Sequence, residues 1–500
     1  MERKPRASTH FVAAGVVIVL LYAANGLFCQ RSALQLLDAA ATSSDMHANL
    51  MWAKGIDEQG WLNAHPYHPW TDWMQSVAPY PQWVQWWGGE KIYQQSPLYA
   101  YLLSLFLHRY FWMRGLQALL SIAMCALIGL FSAKVGGQNA GWIGFWMAAL
   151  YAPFYLYSWP FLRDGLGWLL TVALLWALAE LNDKDWREKT SGRIGWLAGI
   201  VLGLGFLAKE TYLLLIPTVW IALGVLTWKR RQGWGMVARV VVGTLLAISP
   251  LVMRNAIVGA PVLSSSNRFA ESFILGNAEG SSPYMTVIPS EIGEILRETQ
   301  GHGLAVIQAT VSSHPDGMAG VVRLQIAKLL SLFDPYESPD NLSFYFVAHI
   351  SPVVRFGLRY WMLVPPGLAG LCLGIWRRDR GHFWIWVLLP VFVISLLMGI
   401  PVSRYRQVLM LFLMPCAAYF LVFLKDLYRQ GKLRTLGYGF LALLAGWISV
   451  LGPLARQPRE RYERASEYLV SAQIYHQLGD AKSEQAMREV IRQRFPDSAR

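Results

Sequence analysis

Asp45 lies near the start of the stretch Ser43-Ser44-Asp45-Met46-His47-Ala48-Asn49-Leu50-Met51-Trp52-Ala53-Lys54-Gly55, which follows the first long apolar run. A carboxylate just beyond a membrane helix is costly to bury and has to face water, a counter-charge or a substrate. Ser44 and Asp45 are also good N-cap residues, so the competing role for Asp45 is local, accepting orphan backbone N–H groups. Other charges sit in unusual places between apolar runs. Arg163-Asp164 follows Trp159-Pro160-Phe161-Leu162, Lys209-Glu210 joins two runs almost without a loop, and Arg404-Tyr405-Arg406 opens another. Guanidinium forks and a lysine point charge suit phosphate. Each has a plainer alternative: a local Arg163 with Asp164 pair, a local Lys209 with Glu210 pair, and snorkelling of Arg404 and Arg406.

The elements that must position these residues are membrane helices. The 500 residues are 54% hydrophobic, 13% aromatic and only 15% charged, and long apolar runs replace the periodic patterns of soluble domains. An all-α polytopic membrane protein of about 11 transmembrane helices is expected, with spans near 11–30, 115–133, 140–158, 165–181, 193–208, 211–228, 236–252, 357–376, 383–399, 405–424 and 435–453. The +13 charge is better explained by topology than by nucleic acid. With the N-terminus (Arg3, Lys4, Arg6) cytoplasmic, Lys134, the Lys184/Arg187/Lys189/Arg193 loop, Lys229-Arg230-Arg231, Arg377-Arg378-Asp379-Arg380 and Lys425/Arg429/Lys432/Arg434 all fall inside. The opposite face then carries a first outer loop, 31–114, a second, 253–356, and a tail, 454–500.

Residues 61–99 are dense in Trp and Tyr broken by Pro, which suits a headgroup belt, and Pro97 to Leu107 reads as a juxtamembrane helix in the interface. The tail resembles one tetratricopeptide unit of two helices, turning at Leu478-Gly479-Asp480 and closing at Phe495-Pro496-Asp497; it either docks on the membrane domain or meets a protein partner. Cys29, Cys125, Cys372 and Cys416 lie in or beside apolar segments and are expected to be free thiols. His65, His68 and Asp72 have a metal-like spacing, but Pro66 and Pro69 oppose a preformed site. A Gly-rich nucleotide-phosphate loop is absent.

In order along residues 10–425, six segments resemble motifs of polytopic glycosyltransferases with the GT-C fold, the relatives of protein O-mannosyltransferases and of the lipid A aminoarabinose transferase. They are Asp45 to Ile56, Ser96-Pro97-Leu98-Tyr99, Phe161-Leu162-Arg163-Asp164, Gly205 to Glu210, Arg254-Asn255 through Gly276-Asn277, and Ser403-Arg404-Tyr405-Arg406. Two departures stand out. Ser96 replaces a Pro and Gln94-Gln95 a Lys, with Lys91 the nearest substitute, while His47 stands where a second acid or a neutral residue is common. The resemblance implies a transmembrane transferase domain over 1–453 that moves a hexose or pentose from a polyprenyl-phosphate-linked donor to a hydroxyl on the periplasmic side of a bacterial inner membrane. Asp45 would be the general base of an inverting displacement, and Asp164 would orient the acceptor, the Asp45 helix or a cation. His47, Lys91, Arg163, Lys209, Arg254, Asn277, Arg404 and Arg406 are the candidate binding residues, with Arg254 and Asn277 organising the second loop. No cofactor is identified beyond the lipid-linked donor, and a divalent cation is left open; the partners implied are the donor and membrane lipids. The alternative class is a lipid or anionic-solute transporter, which would also use intramembrane charges but would show repeats and mid-depth broken helices. A scaffold whose tail recruits a partner leaves Asp45, Asp164 and the outer cations unexplained.

Overall fold

The computed structural model describes residues 6–182, 186, 188–231, 233–400, 402–452 and 464–496, with the side chains of 6–12 and Lys189 excepted. The expectations placed on Arg3, Lys4, Lys184, Arg187, Asp497 and the side chains of Arg6 and Lys189 lie outside the described residues. The named elements are all helical, and the only β feature among the described residues is a bridge between Tyr151 and Leu358. Among the described residues, nine helices are long and apolar enough to cross a membrane. One of them, Tyr110–Ala149, has 40 residues, about 60 Å at 1.5 Å per residue and twice a bilayer's hydrocarbon thickness. It is broken at Gly136 and Gly137, the latter at φ 81°, a conformation that costs a residue with a Cβ. The two halves fold back on each other through small residues: a Cβ on Gly144 would fall 2.1 Å from Ser132 Oγ. The expected spans 115–133 and 140–158 therefore share one element, and Tyr360–Arg377 occupies the place of the expected 357–376 span without being one of the nine.

The second half does not continue to 158. It stops at Ala149, and the chain turns into the six-residue helix Ala152–Tyr157, with residues 151–164 buried apart from a few atoms. Tyr151 is extended and caps the new helix, and Pro153 sits in its first turn, where a missing N–H and a fixed φ are tolerated. The Leu150 carbonyl accepts from Leu358 N–H at 2.7 Å and Leu358 O accepts from Ala152 N–H at 2.9 Å, so the end of the second loop is stitched into this bend.

Within the bundle most residues of the Ser403–Arg429 span are buried while few of Leu433–Leu451 are, which makes the former the axis and the latter an outer stave. Close approach to that axis requires Gly370 of Tyr360–Arg377, where a Cβ would lie 1.9 Å from the Cys416 carbonyl oxygen.

The aromatic first loop is largely not a membrane shelf. Trp83, Trp86 and Trp87 are buried and pack with Ile274, Leu275, Ile292, Ile295 and Leu296 of the second loop. The indoles found a better apolar partner than headgroups, because two loops covering each other remove more apolar surface from water than either alone. Trp61 and Trp70 remain exposed. Likewise Leu98–Ser104 does not lie in the interface by itself: Tyr99, Ala100 and Leu103 are buried, with Tyr99 and Leu103 in the same core as Met46, Leu50 and Ala53 of the Asp45 helix, Asp45–Gln59. The tail forms two helices, Ser466–Gln477 and Ala481–Arg494, and docks on both outer loops. Tyr475 Oη accepts from Ala33 N–H at 3.0 Å and the Tyr468 ring meets Phe346 at 5.0 Å.

Candidate active site

Ser44 caps the Asp45 helix: its hydroxyl accepts from His47 N–H at 3.2 Å. The Asp45 N–H is satisfied from far away, by Asn341 Oδ1 at 2.6 Å. The Asp45 carboxylate is thereby released from capping and points into a polar junction. Its Oδ1 accepts from Gln95 Nε2 at 2.8 Å and Arg268 Nη1 at 3.0 Å. Its Oδ2 accepts from Arg404 Nη2 at 2.6 Å and Asn341 Nδ2 at 3.1 Å. Burial alone would raise its pKa, but Arg268 and then Arg404 outweigh burial and hold the carboxyl well below its ordinary value.

Below Asp45, two inter-helix connections exchange partners. Neither local pair forms; instead Lys209 Nζ meets Asp164 Oδ1 at 2.6 Å and Arg163 Nη1 meets Glu210 Oε1 at 2.7 Å. A residue and its chain neighbour at a helix end point in different directions, whereas equivalent ends of adjacent antiparallel spans face each other. Burial lowers the pKa of Lys209 despite Asp164, and Arg163 overrides burial to bring Glu210 down to about 2. Glu210 Oε1 also accepts from Ser96 N–H at 2.8 Å, tying the first loop to this end of the bundle.

Arg404 joins the two halves. Its buried guanidinium lies 2.6 Å from Asp45, 3.0 Å from Asp340 and 3.7 Å from Asp164. The Tyr405 hydroxyl accepts from Arg404 Nη2 at 2.7 Å, and Lys209 Nζ sits 5.7 Å from the Tyr405 ring centroid. The site thus gathers four cations, Arg163, Lys209, Arg268 and Arg404, against five carboxylates, Asp45, Asp164, Glu210, Asp340 and, 4.0 Å from Arg268, Glu271. They arrive from both outer loops and three span ends. The Arg404 guanidinium occupies the space among Asp45, Asp164 and Asp340.

Other candidates lie elsewhere. The Arg406 guanidinium turns away from Asp45 and holds the second loop, donating to Asp334 O at 2.7 Å and Tyr336 O at 2.7 Å beside Glu337. Two residues along a helix place side chains on opposite sides, so Arg404 and Arg406 serve different surroundings. Arg254 is taken up by backbone carbonyls, Leu62 at 2.8 Å, Lys91 at 2.6 Å and Asn63 at 2.6 Å, beneath the Tyr93 ring. Asn277 is buried between Phe273 O, Met398 O, Gln325 and Lys328. Lys91 is exposed, and His47 meets the Ala39 carbonyl at 3.2 Å and the edge of Tyr67. His68 stacks on Trp87, His65 lies 3.8 Å from Glu90, and among the described residues no group of three or more His, Cys, Asp or Glu is placed to hold a metal ion.

Sequence reasoning missed Gln95, Arg268, Asp340 and Asn341. Gln95 was visible only as a departure from a motif, and Arg268 and Asp340-Asn341 sit in loop text without periodicity. The signal for Arg268 was the same as for Arg404, a cation on the face expected to be outer, but a long loop dilutes it.

No family model matches the chain, and no curated protein matches it. Among solved structures it is similar to an archaeal oligosaccharyltransferase, AglB from Archaeoglobus fulgidus, in complex with an inhibitory peptide and a dolichol-phosphate, at 14% identity and a TM-score of 0.47. The match covers 95% of this chain and 56% of that one, so the chain spans little more than half its length.

Proposed function

We propose that the protein is a GT-C-type glycosyltransferase of eleven spans that moves a sugar from a polyprenyl-phosphate donor to a hydroxyl acceptor on the periplasmic side of a bacterial inner membrane. In this reading the N-terminus is cytoplasmic and the tail periplasmic. The observation that carries it is the Asp45 carboxylate held between Arg268 and Arg404 at a junction that also contains Lys209 and Arg163. A base and several phosphate-seeking cations in one place are what glycosyl transfer from a lipid phosphate requires. The same charges at an end of the bundle, tied to both outer loops, argue against a transporter, whose site would lie at mid-depth.

The acceptor oxygen attacks the anomeric carbon from the face opposite the phosphate, the carbon to phosphate-oxygen bond breaks, and the acceptor proton passes to Asp45. The configuration inverts and the lipid phosphate leaves with the bonding electrons. In the resting arrangement Asp45 is a weak base, since both arginines stabilise its anion. An incoming phosphate competes for those same guanidinium groups. Drawing Arg404 or Arg268 towards it raises the proton affinity of Asp45, so the base is strengthened when the donor is in place. Asp164 keeps Lys209 beside the phosphate position.

Asp45→Asn tests this reading. The isosteric amide keeps the shape but cannot take the proton, and transfer from a polyprenyl-phosphate sugar should fall about 10²- to 10⁴-fold while membrane insertion persists. Transfer at the wild-type rate would remove Asp45 from the chemistry.

A further inference from the structure

The C-terminal hairpin does more than cover apolar surface. Residues 338–343 form a short strap of the second loop. Two of its members reach the candidate site: Asn341 both accepts from Asp45 N–H at 2.6 Å and donates to Asp45 Oδ2 at 3.1 Å, and Asp340 lies 3.0 Å from Arg404. The hairpin grips the strap on either side of Asn341. Arg464 donates to the Asp340 carbonyl, and Glu467 Oε1 accepts from Ser343 N–H at 3.0 Å. Glu467 is buried, and its charge is matched by Arg464, whose Nε donates to it at 2.8 Å. A buried carboxylate is expensive unless it is paired and hydrogen-bonded, and here the pairing is spent on holding two backbone groups of the strap.

We propose that the hairpin is a clamp that positions Asp45 and Arg404 through Asp340-Asn341, with Arg464 and Glu467 as its positioning residues. The hairpin's attachment does not depend on the grip. Tyr475 bonds Ala33, and Tyr468 packs on Phe346 and bonds His349. Loosening Arg464 or Glu467 therefore frees the strap while the hairpin stays docked. A hairpin of no special role would need none of the contacts to 340 and 343. It would be held as well by its aromatic face.

The test uses the full chain in detergent. Deleting residues 464–500 would expose the apolar residues beneath the tail and risks unfolding, so point variants are used: Arg464→Ala, Glu467→Ala, Glu467→Gln and, as a control on docking alone, Tyr475→Phe. Site-resolved amide hydrogen exchange is measured together with Tm. Arg464→Ala and Glu467→Ala are expected to speed exchange at Ser343 and at the Asp45 amide at least tenfold with Tm within a few degrees of wild type. Glu467→Gln keeps an acceptor for Ser343 N–H and is expected to restore slow exchange at Ser343; Tyr475→Phe is expected to leave the Asp45 amide unchanged. The proposal is overturned if Ser343 exchange rises while the Asp45 amide does not, if neither rises, or if Tyr475→Phe loosens Asp45 equally. Exchange needs no substrate, so a failed sugar-transfer assay would count against the proposed activity and leave the clamp standing.

Discussion

Replacing Arg404 by Met is the most demanding test of how the site is held together. The side chain is 3% exposed and faces three carboxylates, Asp45 at 2.6 Å, Asp340 at 3.0 Å and Asp164 at 3.7 Å. Without it Asp45 keeps Arg268 and Asp164 keeps Lys209, but Asp340 is left with Asn341 alone. Four cations already face five carboxylates, and without Arg404 three face five. Removing one partner of a buried ion pair costs about 3–5 kcal/mol, because a charge remains without compensation. The loss should depend on pH. In the wild type the Asp45 pKa lies below its ordinary value, so the stability it confers is present above the unfolded-state pKa and lost as pH falls through the folded one. Arg404→Met raises the folded pKa of Asp45 and lets a proton replace the missing cation. The destabilisation is therefore fully present near neutral pH and narrows only as the pH falls through the folded pKa of Asp45 in the variant. Thermal unfolding in detergent, followed by tryptophan fluorescence from neutral pH down through the carboxylate range, reads this directly. A Met variant as stable as wild type at pH 7, or one with the same deficit at both ends of the range, would refute the charge-balance argument. Arg404→Lys should be intermediate, since an ammonium cannot span three carboxylates as a guanidinium fork does.

The remaining predictions concern the frame around the site. Burial lowers Lys328 to a pKa of about 7, its ammonium surrounded by the Gly276, Leu397 and Gly399 carbonyls and Asn277 Oδ1. The unfolded chain then binds more protons between about pH 7 and the ordinary lysine value, so stability should rise with pH across that window; Lys328→Met should flatten the rise in a Tm series. Gly370→Ala places a methyl 1.9 Å from the Cys416 carbonyl oxygen and should cost about 1–3 kcal/mol by overpacking, seen as a lower Tm. Because the Arg404 guanidinium occupies the space among Asp45, Asp164 and Asp340, chelation with EDTA should leave transfer unchanged, and a strict requirement for added metal would show that Arg404 moves aside. Arg268→Ala should weaken donor binding, read as a raised KM.

How far the chain could be read from its text differs from element to element. The apolar runs mark the membrane helices because a bilayer admits little else, and Asp45, Asp164, Lys209 and Arg404 were visible as charges at the ends of such runs, where burial has to be justified. The basic residues between the runs are the basis for expecting those loops on one face. Tertiary structure decided the partners. Whether Arg163 pairs with Asp164 or Glu210 depends on which span ends face each other, and no local pattern encodes that. Gln95, Arg268, Asp340 and Asn341 come from loops whose conformation is set by distant contacts, so their approach to Asp45 has no signature in spacing. The tryptophans of the first loop read equally well as a headgroup belt or as an inter-loop core, since an indole suits both. For Asp45 itself, sequence left two roles open, cap or reacting group. Ser44 and Asn341 satisfy the helix end, and that frees its carboxylate for the cations.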